Sequence, residues 1–331
     1  MLGICAHVFV RRATRELKHH LGKIGIKTIA VAVGLTIIFM IGAMVAGLAK
    51  AVPAGAATTA TAPAGQPGNF VLLLFVASLV QALVVAYLVL QSKWTGWKTT
   101  GALFLVVLNL WAQTAIESAP YLRGHVAPSM SARALAMGLL VAVLFAPFAV
   151  WVLGGFGRAT PEASEGSGER AHWSAARWVG TLAATTVVFI ALYYLCGYYI
   201  AWQNAALRQF YSGTTAIRTF WGQIGWTWSS TPWMFPLQAG RALLFVALTL
   251  PAVRMLRGGA RRVALGTALM YAAWDGGPGL ILPNPIMPAS VAHSHAVELV
   301  VWGLLFGAFV GWSMSRGAVT EPAGPQVAKA A

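Results

Sequence analysis

The sequence predicts an all-α fold: a polytopic transmembrane helical bundle of about eight spans, with both termini on the cytoplasmic side. Three observations predict it. Of 331 residues, 58% are hydrophobic and only 9% charged, and the mean hydropathy is +0.70. Soluble domains carry about 25% charged residues, and a soluble chain of this size could not hide so much apolar surface. Apolar runs recur at the length a bilayer demands, about 20 helical residues for a hydrocarbon core of roughly 30 Å. The basic residues fall in short clusters between those runs, as loops on the cytoplasmic side of a membrane do.

Residues 1–27 form a basic N-terminal arm, and the first span is expected over 28–49. The arm is long and the run exceeds the 7–15 apolar residues of a signal peptide, so this helix is read as uncleaved. The stretch 51–68, rich in Ala, Pro, Gly and Thr, reads as a flexible outer loop. Spans over 70–91, 99–119 and 133–154 complete a first membrane unit, 28–154. A Gly-, Ser- and Glu-containing cytoplasmic linker, 155–176, leads to a second unit over 177–314. Its spans are 177–202, 237–254, 263–283 and 295–314, followed by the tail 315–331. The sixth is short, and the seventh is interrupted by Trp-Asp-Gly-Gly-Pro-Gly from Trp274. No internal repeat relates the halves.

The outer loop 203–236 is unusually aromatic, with Phe210, Tyr211, Phe220, Trp221, Trp226, Trp228, Trp233 and Phe235. Trp and Tyr favour the headgroup level of a membrane, which makes this an interfacial segment. A lid or a sugar-stacking platform is the sharper alternative. Tyr193, Tyr194, Tyr198 and Tyr199 surround Cys196 and read as packing and interface anchors. Cys5 and Cys196 belong to opposite ends of the bilayer, beyond the reach of a disulfide.

Orientation follows from Lys and Arg. With the N-terminus inside, only Lys50, Arg123, Arg133, Arg208, Arg218 and Arg241 fall outside, and the other seventeen fall inside. The net charge of +15 therefore points to a membrane partner and not to nucleic acid, for which there is no basic domain or motif.

Ionisable groups within spans cost about 2.5–3.5 kcal/mol on insertion scales and usually face the bundle interior. In the third span Asn109, Gln113 and Glu117 recur every four residues, one polar stripe on a helix. His295 and Glu298 share a face of the eighth span, while His293 points elsewhere. Arg241 lies early in the sixth span, and Asp275 precedes the Gly-Gly-Pro-Gly break in the seventh. Gln203 closes the fifth. Topology places all of them in the outer half of the bilayer. The expected polar cluster is therefore Glu117, Arg241, His295, Glu298, Gln113 and Asp275.

Three function classes fit such a cluster. A transporter or permease for a small solute or ion would use the acids as a relay. A membrane enzyme acting on a lipid-linked substrate would use His295, Glu298 and Glu117 as ligands of a zinc-like divalent metal, or as acid and base. A structural or assembly protein, including a homo-oligomer, would need only a buried ion pair between Arg241 and an acid. His-Glu-x-x-His, Gly-x-Ser-x-Gly, Walker and dinucleotide motifs are absent, and no histidine sits mid-span to ligate haem.

Leu-Pro-Asn-Pro-Ile-Met-Pro-Ala-Ser-Val-Ala-His-Ser-His-Ala-Val-Glu, ending at Glu298, forms one notable segment. With Gln-Thr-Ala-Ile-Glu ending at Glu117 and the stretch from Gly197 to Tyr211, it resembles a family of bacterial polytopic inner-membrane proteins. The family pattern places an Asn-Pro-x-Met-Pro turn before a His-x-x-Glu helix start, here Asn284 to Pro288 and then His295 and Glu298. An arginine often follows the valine of that turn in the family, and Ala292 stands there instead. The resemblance implies a bacterial inner-membrane location and no particular activity.

Overall fold

The computed structural model describes residues 2–47, 67–121, 128–157, 173–275, 277–282 and 287–315. The expected loop 51–68 (but for its last two residues), most of the linker 155–176, the tail 315–331 beyond its first residue and the turn from Asn284 lie outside the described residues. The charges Lys50, Arg123, Arg158, Arg170, Arg316 and Lys329 lie there too.

The described chain is helical, with an isolated bridge between Ser92 and Leu256. The first five helices are α1 (Leu2–Val45), α2 (Pro67–Leu90), α3 (Gly96–Tyr121), α4 (Pro128–Val152) and α5 (Ala175–Tyr199). Two short helices follow, α6 (Ala205–Ser212) and α7 (Phe220–Ser230). Then come α8 (Met234–Met255), α9 (Ala260–Trp274) and α10 (Ala289–Ser315). Short polar side chains start several of them. Ser174 accepts from the Arg177 amide at 3.2 Å, Asn204 from Ala206 at 2.9 Å and Thr219 from Gly222 at 3.2 Å. Each satisfies a donor that the first helical turn leaves free.

Seven helices are long and apolar enough to cross a membrane: α1 from Gly22, α2, α3, α4, α5, α8 and α10. Their outward faces carry large apolar side chains such as Ile26, Met44, Leu72, Leu83, Val179 and Val187. Water would oppose that exposure and lipid favours it, so this is an integral membrane protein.

Two elements differ from the sequence expectation. The basic arm and the first span are one helix, because nothing between Leu2 and Val45 breaks the backbone ladder. The expected seventh span 263–283 is not one helix. Its 15-residue α9 rises about 22 Å, short of the roughly 30 Å hydrocarbon core. The chain then makes a separate 3₁₀ turn, Pro278–Ile281, since Pro278 has no amide to continue the ladder.

The helices pack as a closed circuit, in the order α1, α2, α9, α10, α5, α8, α3, α4 and back to α1. The tightest seam joins α9 to α10. Gly303, Gly307 and Gly311 recur every four residues and bring the backbones together. A Cβ on Gly307 would lie 2.5 Å from the Thr267 carbonyl oxygen, and one on Gly303 2.8 Å from the Ala272 nitrogen. Small residues at this spacing let membrane helices associate where lipid supplies no hydrophobic drive.

Neighbouring helix ends are tied together. At one end the Lys93 amide donates to Met255 O at 2.8 Å, Arg257 to Gln91 O at 2.9 Å and Gly96 to Gly155 O at 3.0 Å. Lys93, Lys98, Arg254, Arg257, Arg261 and Arg262 gather in these turns and the adjoining helix ends. At the opposite end Arg133 Nη1 donates to Ala46 O at 3.1 Å, joining α4 to α1.

Candidate functional site

The polar residues of the spans meet at the end opposite the basic turns. Arg241 is buried on α8 and is held from three sides. Its Nη2 lies 2.8 Å from Glu117 Oε2. Its Nε donates to Gln113 Oε1 at 3.1 Å and its Nη1 to Gln238 Oε1 at 2.8 Å. The Phe189 ring lies 5.8 Å from the guanidinium carbon. Gln113 in turn donates to the Arg241 carbonyl at 3.2 Å and to Asn109 Oδ1 at 3.4 Å. The four-residue stripe of α3 thus faces α8.

A second group forms on α10. His295 Nδ1 lies 2.7 Å from Glu298 Oε2, the pairing expected from their three-residue spacing. The other ring nitrogen, Nε2, lies 3.2 Å from the Tyr211 hydroxyl on α6. Burial, with Glu117 and Glu298 nearby, pushes the Tyr211 phenol well above its usual range, so Tyr211 stays a neutral phenol, and the tautomer of His295 sets which of the two donates. His293 is exposed and takes no part.

Both groups line one cavity of about 590 Å³, as does Asp275. Asp275 is only 9% exposed, and its carboxylate has no direct hydrogen-bond or ion-pair partner among the described residues. Gln113, expected in the cluster, stands behind Arg241 and not on the cavity wall. Every member of the helical circuit contributes to the wall, from Leu35 on α1 and Gln81 on α2 to Glu298 on α10. Along α5 the wall runs from Phe189 to Tyr198, about 14 Å of helix. The cavity therefore begins at the ionisable groups and descends to about the middle of α5 between apolar and aromatic side chains.

The aromatic loop covers its mouth. Tyr198 Oη donates to the Arg218 carbonyl at 2.7 Å, and Asn204 Nδ2 to Ser294 Oγ at 2.8 Å, which fastens the loop to α5 and α10. Trp202, Tyr211, Phe220 and Trp226 face inward, while Trp221 and Trp228 remain outside at 77% and 64% exposure. Part of the segment thus covers the cavity, and part of its aromatic surface stays exposed. Gln203 bonds locally, donating to Tyr198 O at 2.8 Å. Cys196 is a buried free thiol.

The expected metal set is not assembled. Among the described residues no group of three or more His, Cys, Asp or Glu is arranged to hold an ion. Glu117 is taken up by Arg241, and His295 and Glu298 by each other, so the three do not converge on one point. Sequence reasoning also missed Tyr211, Gln238 and the indoles of Trp274 and Trp302. The Met234–Gln238–Arg241 face of α8 carried a signal for Gln238, through its three-residue spacing from Arg241. Tyr211 gave none, because only the fold brings α6 onto α10.

No family model, curated protein or solved structure matches the chain.

Proposed function

We propose that this protein is a permease of the bacterial inner membrane that binds a small solute in the cavity and couples it to proton or ion movement through Glu298, His295 and Asp275. The basic turns lie on the cytoplasmic side in this reading, following the charge bias of the loops, and the cavity faces outward. Helix α9 and the turn after it serve as a broken eighth crossing, the kind of interruption that lines solute paths in transporters. Asp275 carries the proposal. A purely structural network would pair a carboxylate at such depth, because an unpaired buried charge is costly. Arg241, whose charge acts on Asp275, is already bonded to Glu117, so a polar solute or a proton supplies the direct partner.

Charge movement across a solid-supported membrane tests it. Vesicles containing the protein are challenged separately with an amino acid, a polyamine, a sugar and a dicarboxylate. At least one class should evoke a current that Glu298→Gln abolishes while the melting temperature holds. Silence towards every class, with Glu298→Gln acting on melting alone, would return the cluster to a structural role.

A further inference from the structure

The cavity's charges do not balance. Glu117 is neutralised by Arg241 at 2.8 Å. The remaining ionisable groups among the described residues of the wall, tyrosines aside, are two carboxylates, Glu298 and Asp275, against one imidazole, His295. Among the described residues no lysine and no second arginine lines it. The nearby Arg208 is spent on the loop's own backbone, donating to Thr215 O at 2.8 Å. Arg218 is turned onto the Trp226 ring, its guanidinium carbon 4.8 Å from the centroid. Counted over the described residues, the wall is net negative whichever state His295 adopts while both acids are ionised, and Arg241, whose charge acts on Asp275, is already bonded to Glu117.

The walls point the same way. Tyr194, Trp274 and Trp302 line the cavity below the acids, and Tyr211 and Trp226 close it above. Aromatic faces attract cations electrostatically, most strongly where water is excluded. Their rings also give the apolar body of a ligand a large contact surface. Among the described residues the indole N–H groups of Trp274 and Trp302 and the Tyr194 hydroxyl are buried without hydrogen-bond partners; as donors they suit an acceptor on the ligand's body, not its charge. A volume of about 590 Å³ lies within the roughly 300–1,000 Å³ of sites that take drug-sized molecules.

We infer that the cavity binds an amphiphilic organic cation, its charge between Glu298 and Asp275 and its apolar body along the aromatic wall that descends beside α5. The inference rests on the solute-binding reading above and names the substrate class. It predicts selection by sign of charge at constant shape. A small inorganic cation would leave the aromatic depth of the cavity unused, and an anion would meet two carboxylates.

Tetraphenylphosphonium and tetraphenylborate are near-identical in shape and opposite in charge. Their binding to wild-type protein in nanodiscs, with empty nanodiscs as the blank, should differ at least tenfold in favour of the phosphonium. Glu298→Gln and Asp275→Asn should each weaken phosphonium binding at least tenfold while melting stays within a few degrees. Equal or stronger binding of the borate, or no binding of the phosphonium, overturns the inference on the wild type alone. Unchanged affinity in both variants overturns it as well. A current evoked by a sugar or dicarboxylate, with no phosphonium binding, would keep the permease and discard the cation.

Discussion

Gln113 and Arg241 hold each other twice: Arg241 Nε donates to the Gln113 side-chain oxygen at 3.1 Å, and the Gln113 amide donates to the Arg241 carbonyl at 3.2 Å. The reciprocal bond fixes α3 against α8 and aims the guanidinium at Glu117. Arg241 is thus a strut whose far end reaches the cavity wall.

Arg241→Ala should destabilise the protein by at most about 3–5 kcal/mol, the cost of leaving one partner of a fully buried pair alone, and by less than that because Glu117 is 29% exposed. Removing both charges, with Arg241→Met and Glu117→Leu, should recover part of this. Recovery should be incomplete, because Gln113 and Gln238 each lose a partner for their side-chain oxygens. Melting in detergent, compared across the single and double variants, measures both terms.

The α9–α10 seam has no room for a side chain. Gly307→Ala would place its Cβ 2.5 Å from the Thr267 oxygen, against backbone that cannot turn away. A cost of about 1–3 kcal/mol is expected from overpacking. Gly101→Ala on α3 meets nothing within 4 Å and should leave melting unchanged or raise it slightly. The two melting curves, measured side by side, check the contrast.

Tyr211→Phe removes the hydroxyl that meets His295. Near neutral pH the loss should be about 0.5–1.5 kcal/mol, one hydrogen bond. The phenol's proton is held more tightly in the folded than in the unfolded protein. Its contribution is therefore complete below the ordinary tyrosine value of about 10 and declines as pH rises beyond it. The melting-temperature gap between wild type and Tyr211→Phe should narrow above about pH 10. A gap that widens there would contradict the burial of this group.

Reporter fusions test the orientation. Fusions after residues 60, 125, 220 and 290 should report from outside, and those after 95, 165, 258 and 325 from the cytoplasm. Reversal of one adjacent pair would place part of the cluster at the wrong depth and detach it from an outward-facing cavity.

The membrane fold was legible in the sequence because the bilayer reduces it to length and polarity. Runs such as that of α2 or α4 can be stable only as apolar spanning helices, whatever surrounds them. The shared depth of Glu117, Arg241, Asp275 and His295 was legible for the same reason, since alternating spans convert chain position into height. Local spacing also determined that His295 would meet Glu298. Pairing across helices was another matter. Depth does not say which way a helix is rotated or which helix stands beside it. Only the closed circuit of helices decided that Arg241 takes Glu117 and leaves Glu298 to His295, and that Tyr211 arrives from a loop helix. The rest was decided by the α9–α10 seam, where the α10 glycines hold α9 close, and by the break ahead of Pro278, which leaves Asp275 at the cavity wall.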